Sequence, residues 1–248
     1  MSAKPGAGNG DAQDGSQKLA QPAADDGPSV AKRTARRQRC DRCLRAACIC
    51  PVLNQPGVPV RCAVQLLVLQ HPRELHEPKG SARLLHLAVA NSVLLVGEAW
   101  PEAPADLPPD HETAADPPDM ARRSVLLYPP TPGQADLPLP PAMPADWLLQ
   151  PDRLRLVVLD GTWRKSQRML HQSPWLQSLP RLSLVNPAPS RYALRRARGL
   201  DQRSTFEAAV LALQSLGPEV AASVAPLWPV FDAFVAQVLL QQQAPQRA

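Results

Sequence analysis

The chain has 248 residues, a formal charge of +5, 30 prolines, and 44% hydrophobic but only 4% aromatic residues. That length can bury one full core or two small ones, and no apolar run approaches the ~20 residues of a bilayer-spanning helix. The polar N-terminus lacks the apolar centre of a signal peptide, so a cytoplasmic location is expected.

Charge is segregated along the chain. Residues 1–30 carry two basic and four acidic groups, and residues 101–121 carry six acids (Glu102, Asp106, Asp110, Glu112, Asp116, Asp119) with no Lys or Arg. The remainder holds 25 basic residues against 12 acidic ones. Such a balance suits a polyanion such as RNA through phosphate contacts and counterion release; a basic surface kept for solubility is the alternative.

In chain order, residues 1–31 are rich in Gly, Ala, Asp and Gln and are expected to be a disordered tail. Residues 32–58 form a basic arm, beginning Lys32-Arg33-Thr34-Ala35-Arg36-Arg37, followed by Cys40, Cys43, Cys48 and Cys50. Four thiolates this close can close a tetrahedral structural zinc site in a segment too short to own a core. Redox-active or free thiols are the alternative. Cys62 opens an apolar run and reads as an ordinary core residue.

Residues 59–241 alternate strand and helix patterns, with 242–248 left as a tail. Cys62–Leu69 reads as a buried strand ending in Gln70-His71-Pro72-Arg73-Glu74, and 81–91 as a helix through Leu84, Leu85, Leu87 and Ala88. Strands are expected at 92–96 and 124–128, separated by a mobile, acidic, Pro-rich insertion at 101–123. The aliphatic run Leu156-Val157-Val158-Leu159 then stops on Asp160, with Gly161 turning the chain and Thr162 capping a helix from Trp163 to Leu170. A strand follows at 182–185, an Arg-rich segment at 190–199, an amphipathic helix at 203–216 and a last helix at 229–241. The fold class is α/β: a mostly parallel sheet with helices on both faces, plus the small N-terminal four-cysteine zinc knuckle. In such sheets ligands bind at the carboxyl ends of strands, where Asp160 stands. The local pattern is equally that of a plain helix N-cap.

These residues resemble one family, the DTW-domain proteins, named for an Asp-x-Thr-Trp motif present here as Asp160-Gly161-Thr162-Trp163. Six further blocks match in order: the cysteine knuckle with Arg45, Gln70-His71-Pro72-Arg73-Glu74, Leu127-Tyr128-Pro129, Leu179-Pro180-Arg181, Ser190-Arg191-Tyr192 and Ser204-Thr205-Phe206-Glu207. The likeness spans residues 36–235, with departures at Ala46, Ser81 and Phe206, where the family usually has Pro, Thr and Leu.

The resemblance implies a SPOUT-like fold with a knotted C-terminal region. It also implies transfer of the 3-amino-3-carboxypropyl group of S-adenosylmethionine to N3 of a tRNA uridine, releasing 5′-methylthioadenosine. On that basis Asp160 would accept or orient the N3 proton, while Thr162 and Trp163 complete the catalytic set by hydrogen bonding and stacking. The cofactor would meet His71, Arg73, Glu74, Ser81, Leu127, Tyr128, Pro129, Gly161, Ser204 and Thr205. The tRNA would meet Arg83, Arg191, Tyr192, Arg195, Arg196 and Arg198. Arg83 is also a candidate for the cofactor carboxylate. Two competing readings are a SPOUT-like RNA methyltransferase and a non-catalytic zinc-knuckle RNA-binding protein.

Overall fold

Apolar runs with β-branched members, covered by helices on both faces, give a parallel sheet here. The computed structural model describes residues 38–104, 107, 122–130, 137–191 and 203–243. Among these, five strands, β1 (Gln65–Gln70), β2 (Ser92–Val96), β3 (Arg123–Leu127), β4 (Leu154–Asp160) and β5 (Arg181–Leu182), lie in the order β2-β1-β4-β3-β5. Every pairing is parallel. The two central strands, β1 and β4, are buried along their whole length.

Among the described residues six α-helices accompany the sheet: α1 (Ala82–Ala88), α2 (Trp163–His171), α3 (Pro174–Gln177), α4 (Thr205–Gln214), α5 (Pro218–Val224) and α6 (Leu227–Gln243). Side chains alternate across a strand, so the sheet feeds two separate cores. Leu66, Val68, Leu156 and Val158 pack with α1, α4, α5 and α6 on one face. Leu67, Leu69, Val157 and Leu159 pack with Met169, Leu170 and Leu176 of α2 and α3 on the other. The expected mostly parallel sheet with helices on both faces is therefore present.

Several local expectations are corrected. Residues 62–64 precede β1 rather than belonging to it, although Cys62 and Val64 are buried as core residues. The strand expected at 182–185 shrinks to Arg181–Leu182; Val185 is 83% exposed, so nothing rewards its pairing. β3 begins at Arg123, inside the span read as an insertion. The helix expected at 229–241 starts at Leu227 and is preceded by α5, which the sequence pattern did not suggest. Gly217, with φ of 137°, stands before the first residue of α5, Pro218, a proline position suited to a first turn. Together Pro218–Gln243 are long and apolar enough to cross a membrane by length and composition, contrary to the sequence expectation. Val220, Val224, Leu227, Val230, Phe231, Phe234 and Val238 nevertheless lie in the core. The tail at 1–31 and most of the acidic insertion lie outside the described residues.

The cysteine segment docks on this scaffold through polar contacts. Arg45 donates to the carbonyls of Pro78 and Gly80, and its guanidinium lies 5.0 Å from the Phe234 ring centroid. Arg83 Nε donates to the Arg42 carbonyl at 3.0 Å, and Gln237 Nε2 to the Cys48 carbonyl at 2.6 Å.

Phe231 joins α6 to α4, stacking on Phe206 at 5.0 Å between centroids, and both rings are fully buried. Truncating Phe231 to Ala should cost about 3–5 kcal/mol of stability, measurable as a lowered denaturant midpoint. A loss below about 1 kcal/mol would show that this face repacks freely.

Candidate active site

β1 and β4 are neighbours whose onward connections diverge. The chain leaves β1 for β2 at one edge of the sheet, and leaves β4 for β5 at the other. Crevices at such reversals, outside the carboxyl ends of the strands, are where open α/β sheets bind ligands. The last residues of the two strands, Gln70 and Asp160, are directly paired in register. Both are buried.

Gln70 Nε2 donates to Asp160 Oδ2 at 2.8 Å, and Thr205 Oγ1 donates to Asp160 Oδ1 at 2.6 Å. The carboxylate is thus held from β1 on one side and from the start of α4 on the other. Backbone bonds lace the strand ends together: His71 N to Asp160 O at 2.9 Å and Gly97 N to Gln70 O at 3.0 Å. Asp160 is therefore not a helix cap. That function falls to Thr162, which accepts from Lys165 N at 3.4 Å. Space at Gly161 is tight, since a Cβ there would stand 3.1 Å from Lys165 Cβ and 3.4 Å from Ser166 Oγ.

The α4 N-terminus is fixed by a capping box in which Ser204 and Glu207 satisfy one another's backbone amides. Glu207, also buried, accepts from Ser190 Oγ at 3.0 and 2.9 Å and from Arg191 N at 2.7 Å. Ser81 Oγ accepts from Phe206 N at 3.1 Å, so this hydroxyl anchors α4 rather than capping α1.

Alternation sends Asp160 to the α1/α4 face with Leu156 and Val158, and Tyr128 to the α2 face, where it meets Trp163 of α2. The rings stack at 5.4 Å between centroids and 19° between planes, and Trp163 is 51% exposed. Burial pushes the Tyr128 hydroxyl up to about 12, leaving it a neutral donor with no hydrogen-bond partner among the described residues. Arg181 lies 5.4 Å from the Tyr128 ring centroid.

The Gln70–Glu74 block lies over the β1 end. His71 Nδ1 accepts from Arg73 N at 3.1 Å, and Nε2 lies 3.5 Å from Glu98 Oε1. Glu74 is buried and paired with Lys165 Nζ at 2.5 Å, while Arg73 is exposed. Leu127 and Pro129 flank Tyr128 at the β3 end. Gln70, Glu74, Gly80 and Arg83 line one cleft with Cys43 and Arg45 of the cysteine segment. Arg191 is turned to α6, with NH1 3.0 Å from Asp232 Oδ2 and its guanidinium 4.7 Å from the Trp228 centroid. Tyr192, Arg195, Arg196 and Arg198 lie outside the described residues. Sequence reasoning did not assign roles to Gln70, Lys165 or Glu207. The position of Gln70 at the end of a buried strand was the available signal for it.

All four ligand atoms of Cys40, Cys43, Cys48 and Cys50 lie within 4.8 Å of one another, so the cluster could hold a metal ion. Cys40 Sγ is 3.7 Å from Cys50 Sγ, and Cys43 Sγ 3.9 Å from Cys48 Sγ. A tetrahedral site with Zn–S bonds of about 2.3 Å has edges of about 3.8 Å, so the cluster fits that geometry. Backbone hydrogen bonds at Cys43 and Arg42 hold the Cys40 thiol down to about 6, whereas burial and neighbouring thiols push Cys50 up to about 12.

Comparison with known proteins bears on this arrangement. A protein named "tRNA-uridine aminocarboxypropyltransferase 2" from Drosophila melanogaster is 29% identical over 190 residues, covering 73% of this chain and 67% of its own length. A protein of the same name from Macaca fascicularis is 24% identical over 193 residues, covering 73% of this chain and 57% of its own length. The chain thus spans about two thirds or less of these relatives. No solved structure matches it. The family model described as "DTW domain" matches residues 37–239, a span that takes in the cysteine cluster, the Gln70–Asp160 pair and nearly all of the described helices, so the chain belongs to the DTW-domain family.

Proposed function

We propose that this chain transfers the 3-amino-3-carboxypropyl group of S-adenosylmethionine to N3 of a uridine in tRNA, releasing 5′-methylthioadenosine. The names of the fly and macaque relatives support the reaction class. The observation that carries the reading is a buried carboxylate, Asp160, fixed from two sides at the switch point of the sheet. Uracil N3 must lose its proton as its bond to the γ-carbon forms and the carbon–sulfur bond breaks. Asp160 is the acceptor that orients and receives that proton. A carbon beside a sulfonium is already activated, so what the site must supply is positioning.

Trp163, exposed and backed by Tyr128, is a stacking platform for a flat ring, and its companion Thr162 retains a hydroxyl proton to donate. Tyr128, with Leu127 and Pro129, His71, Gly161, Ser204 and Thr205 are the proposed adenosine contacts near the strand ends. Ser81 acts through its anchoring of α4. Glu74 with its Lys165 partner suits an α-ammonium; Arg83, which uses Nε on the knuckle and keeps its terminal nitrogens, suits an α-carboxylate, with exposed Arg73 the second choice. The basic segment 190–199 and the arm before the knuckle are the proposed phosphate contacts, Arg191 among them. The cysteine cluster is proposed as a structural zinc site whose ligands are all protein thiolates, leaving the metal no open position for chemistry. A SPOUT-like knotted C-terminal region and a cytoplasmic location belong to the same reading.

Adenosylmethionine labelled separately in its methyl group and in its aminocarboxypropyl chain tests the proposal in a single turnover with unmodified bulk tRNA. Chain label on tRNA with release of methylthioadenosine is expected. Methyl label would identify a methyltransferase, and tRNA binding with neither label would identify a binding protein. Asp160→Asn should lower the transfer rate by about 10²–10⁴-fold; full turnover in that variant would remove the proton-acceptor role.

The purified protein should hold about one zinc per chain. Cys43→Ser, which removes a buried ligand, should lose that zinc and lower the melting temperature, as read by elemental analysis and calorimetry. Zinc retained at wild-type stoichiometry would exclude the four-cysteine assignment.

A further inference from the structure

Gln70 has two polar ends, and only one is used among the described residues. Its Nε2 is committed to Asp160 Oδ2, which also settles the orientation of the amide, since a carboxylate can only accept. Its Oε1 is enclosed and has no hydrogen-bond partner among the described residues. Gln70 itself is 2% exposed. A buried acceptor left unsatisfied costs about 1–3 kcal/mol, so a sequence that merely needed a filler at the end of β1 would be better served by an aliphatic residue, as at Leu66 through Leu69. The amide stands at the carboxyl end of the strand, lines the cleft that also contains Glu74 and Arg83, and is in register with Asp160.

We propose that Gln70 is a two-handed positioning residue: its amide N–H fixes the Asp160 carboxylate, and its orphaned Oε1 accepts from the α-ammonium of the group donor. An ammonium brings three donors; Glu74 and Gln70 Oε1 supply two acceptors on one cleft, beside the Arg83 cation that suits the accompanying carboxylate. The two hands tie the place where the proton is received to the place where the transferred group is held. This rests on the aminocarboxypropyl-transfer reading, and the experiment separates the two.

The probes are S-adenosylhomocysteine, which carries the ammonium, and 5′-methylthioadenosine, which lacks it. Calorimetric titration of the full chain compares wild type with Gln70→Met and Gln70→Glu. Gln70→Met should weaken adenosylhomocysteine about tenfold and leave methylthioadenosine unchanged. It should lower kcat about 100-fold through a loosened Asp160, with the melting temperature within a few degrees of wild type because the orphaned acceptor goes too. Gln70→Glu keeps an acceptor but loses the donor: adenosylhomocysteine binding should survive. The acid limb of its pH–rate profile should move upward as two carboxyls in contact share a proton. Equal weakening of both probes, or unaltered binding and turnover in Gln70→Met, would overturn the inference. A melting temperature that collapses in both variants with kcat unmoved would reduce Gln70 to a structural residue. If wild type binds neither probe, the transferase reading falls and the inference with it.

Discussion

The bond from Gln70 to Asp160 depends on, and in turn locks, the parallel register of β1 and β4. Two strands paired over their whole length end together, so their last side chains emerge at the same level and on the same face. A slip of one residue would turn the end side chain of the slipped strand to the opposite face, toward α2 and α3, and part the pair. The aliphatic stretch before each polar end prevents such a slip, because Leu66, Val68, Leu156 and Val158 on one side and Leu67, Leu69, Val157 and Leu159 on the other fill two different cores. The hydrophobic effect sets the register, and the register brings the amide to the carboxylate.

The same carboxylate is reached from a distant part of the chain. Thr205 opens α4, and the direction of α4 is held by three interlocking devices: the Ser204–Glu207 box, the stacking of Phe206 on Phe231, and the bond from Phe206 N to Ser81 Oγ. Ser81 follows directly on the Pro78–Gly80 segment that Arg45 clamps by its carbonyls. A continuous set of polar contacts therefore runs from the cysteine cluster, through Arg45 and the segment before α1, to the threonine that touches Asp160. Such a path gives the small cysteine knuckle a physical reason to sit in the same domain as the sheet: it stiffens a loop that the core alone leaves polar and exposed.

The strand-end region has two sides with different chemistry. On the α1/α4 side it is hydrogen-bonded, with Asp160 held by Gln70 and Thr205. On the α2 side it is aromatic, with Trp163 exposed over a buried Tyr128. The carboxylate and the exposed ring thus belong to different faces, although Asp160 and Trp163 are only three positions apart in sequence.

Much of this was legible without coordinates. The run 156–159 announced a buried parallel strand, its stop on Asp160 announced a strand-end carboxylate, and Phe206, Val210, Leu213, Phe231, Phe234 and Val238 were recognisable as core faces, because local periodicity and side-chain volume record burial directly. The clustering of four cysteines likewise announced a metal-compatible site. What the sequence could not reveal were pairings between residues far apart in the chain. Gln70 and Asp160 are 90 positions apart and Thr205 a further 45; no local pattern encodes which side chains meet when strands are ordered β2-β1-β4-β3-β5. The same holds for Arg83, for which the resemblance implies a tRNA or cofactor contact and whose Nε donates to the Arg42 carbonyl, and for Ser81, for which it implies a cofactor contact and whose hydroxyl accepts from Phe206 N. Composition and period determine which residues are buried and in which element; only the tertiary structure decides which buried polar group answers which, because hydrogen bonds are short and directional while the chain that joins them is long.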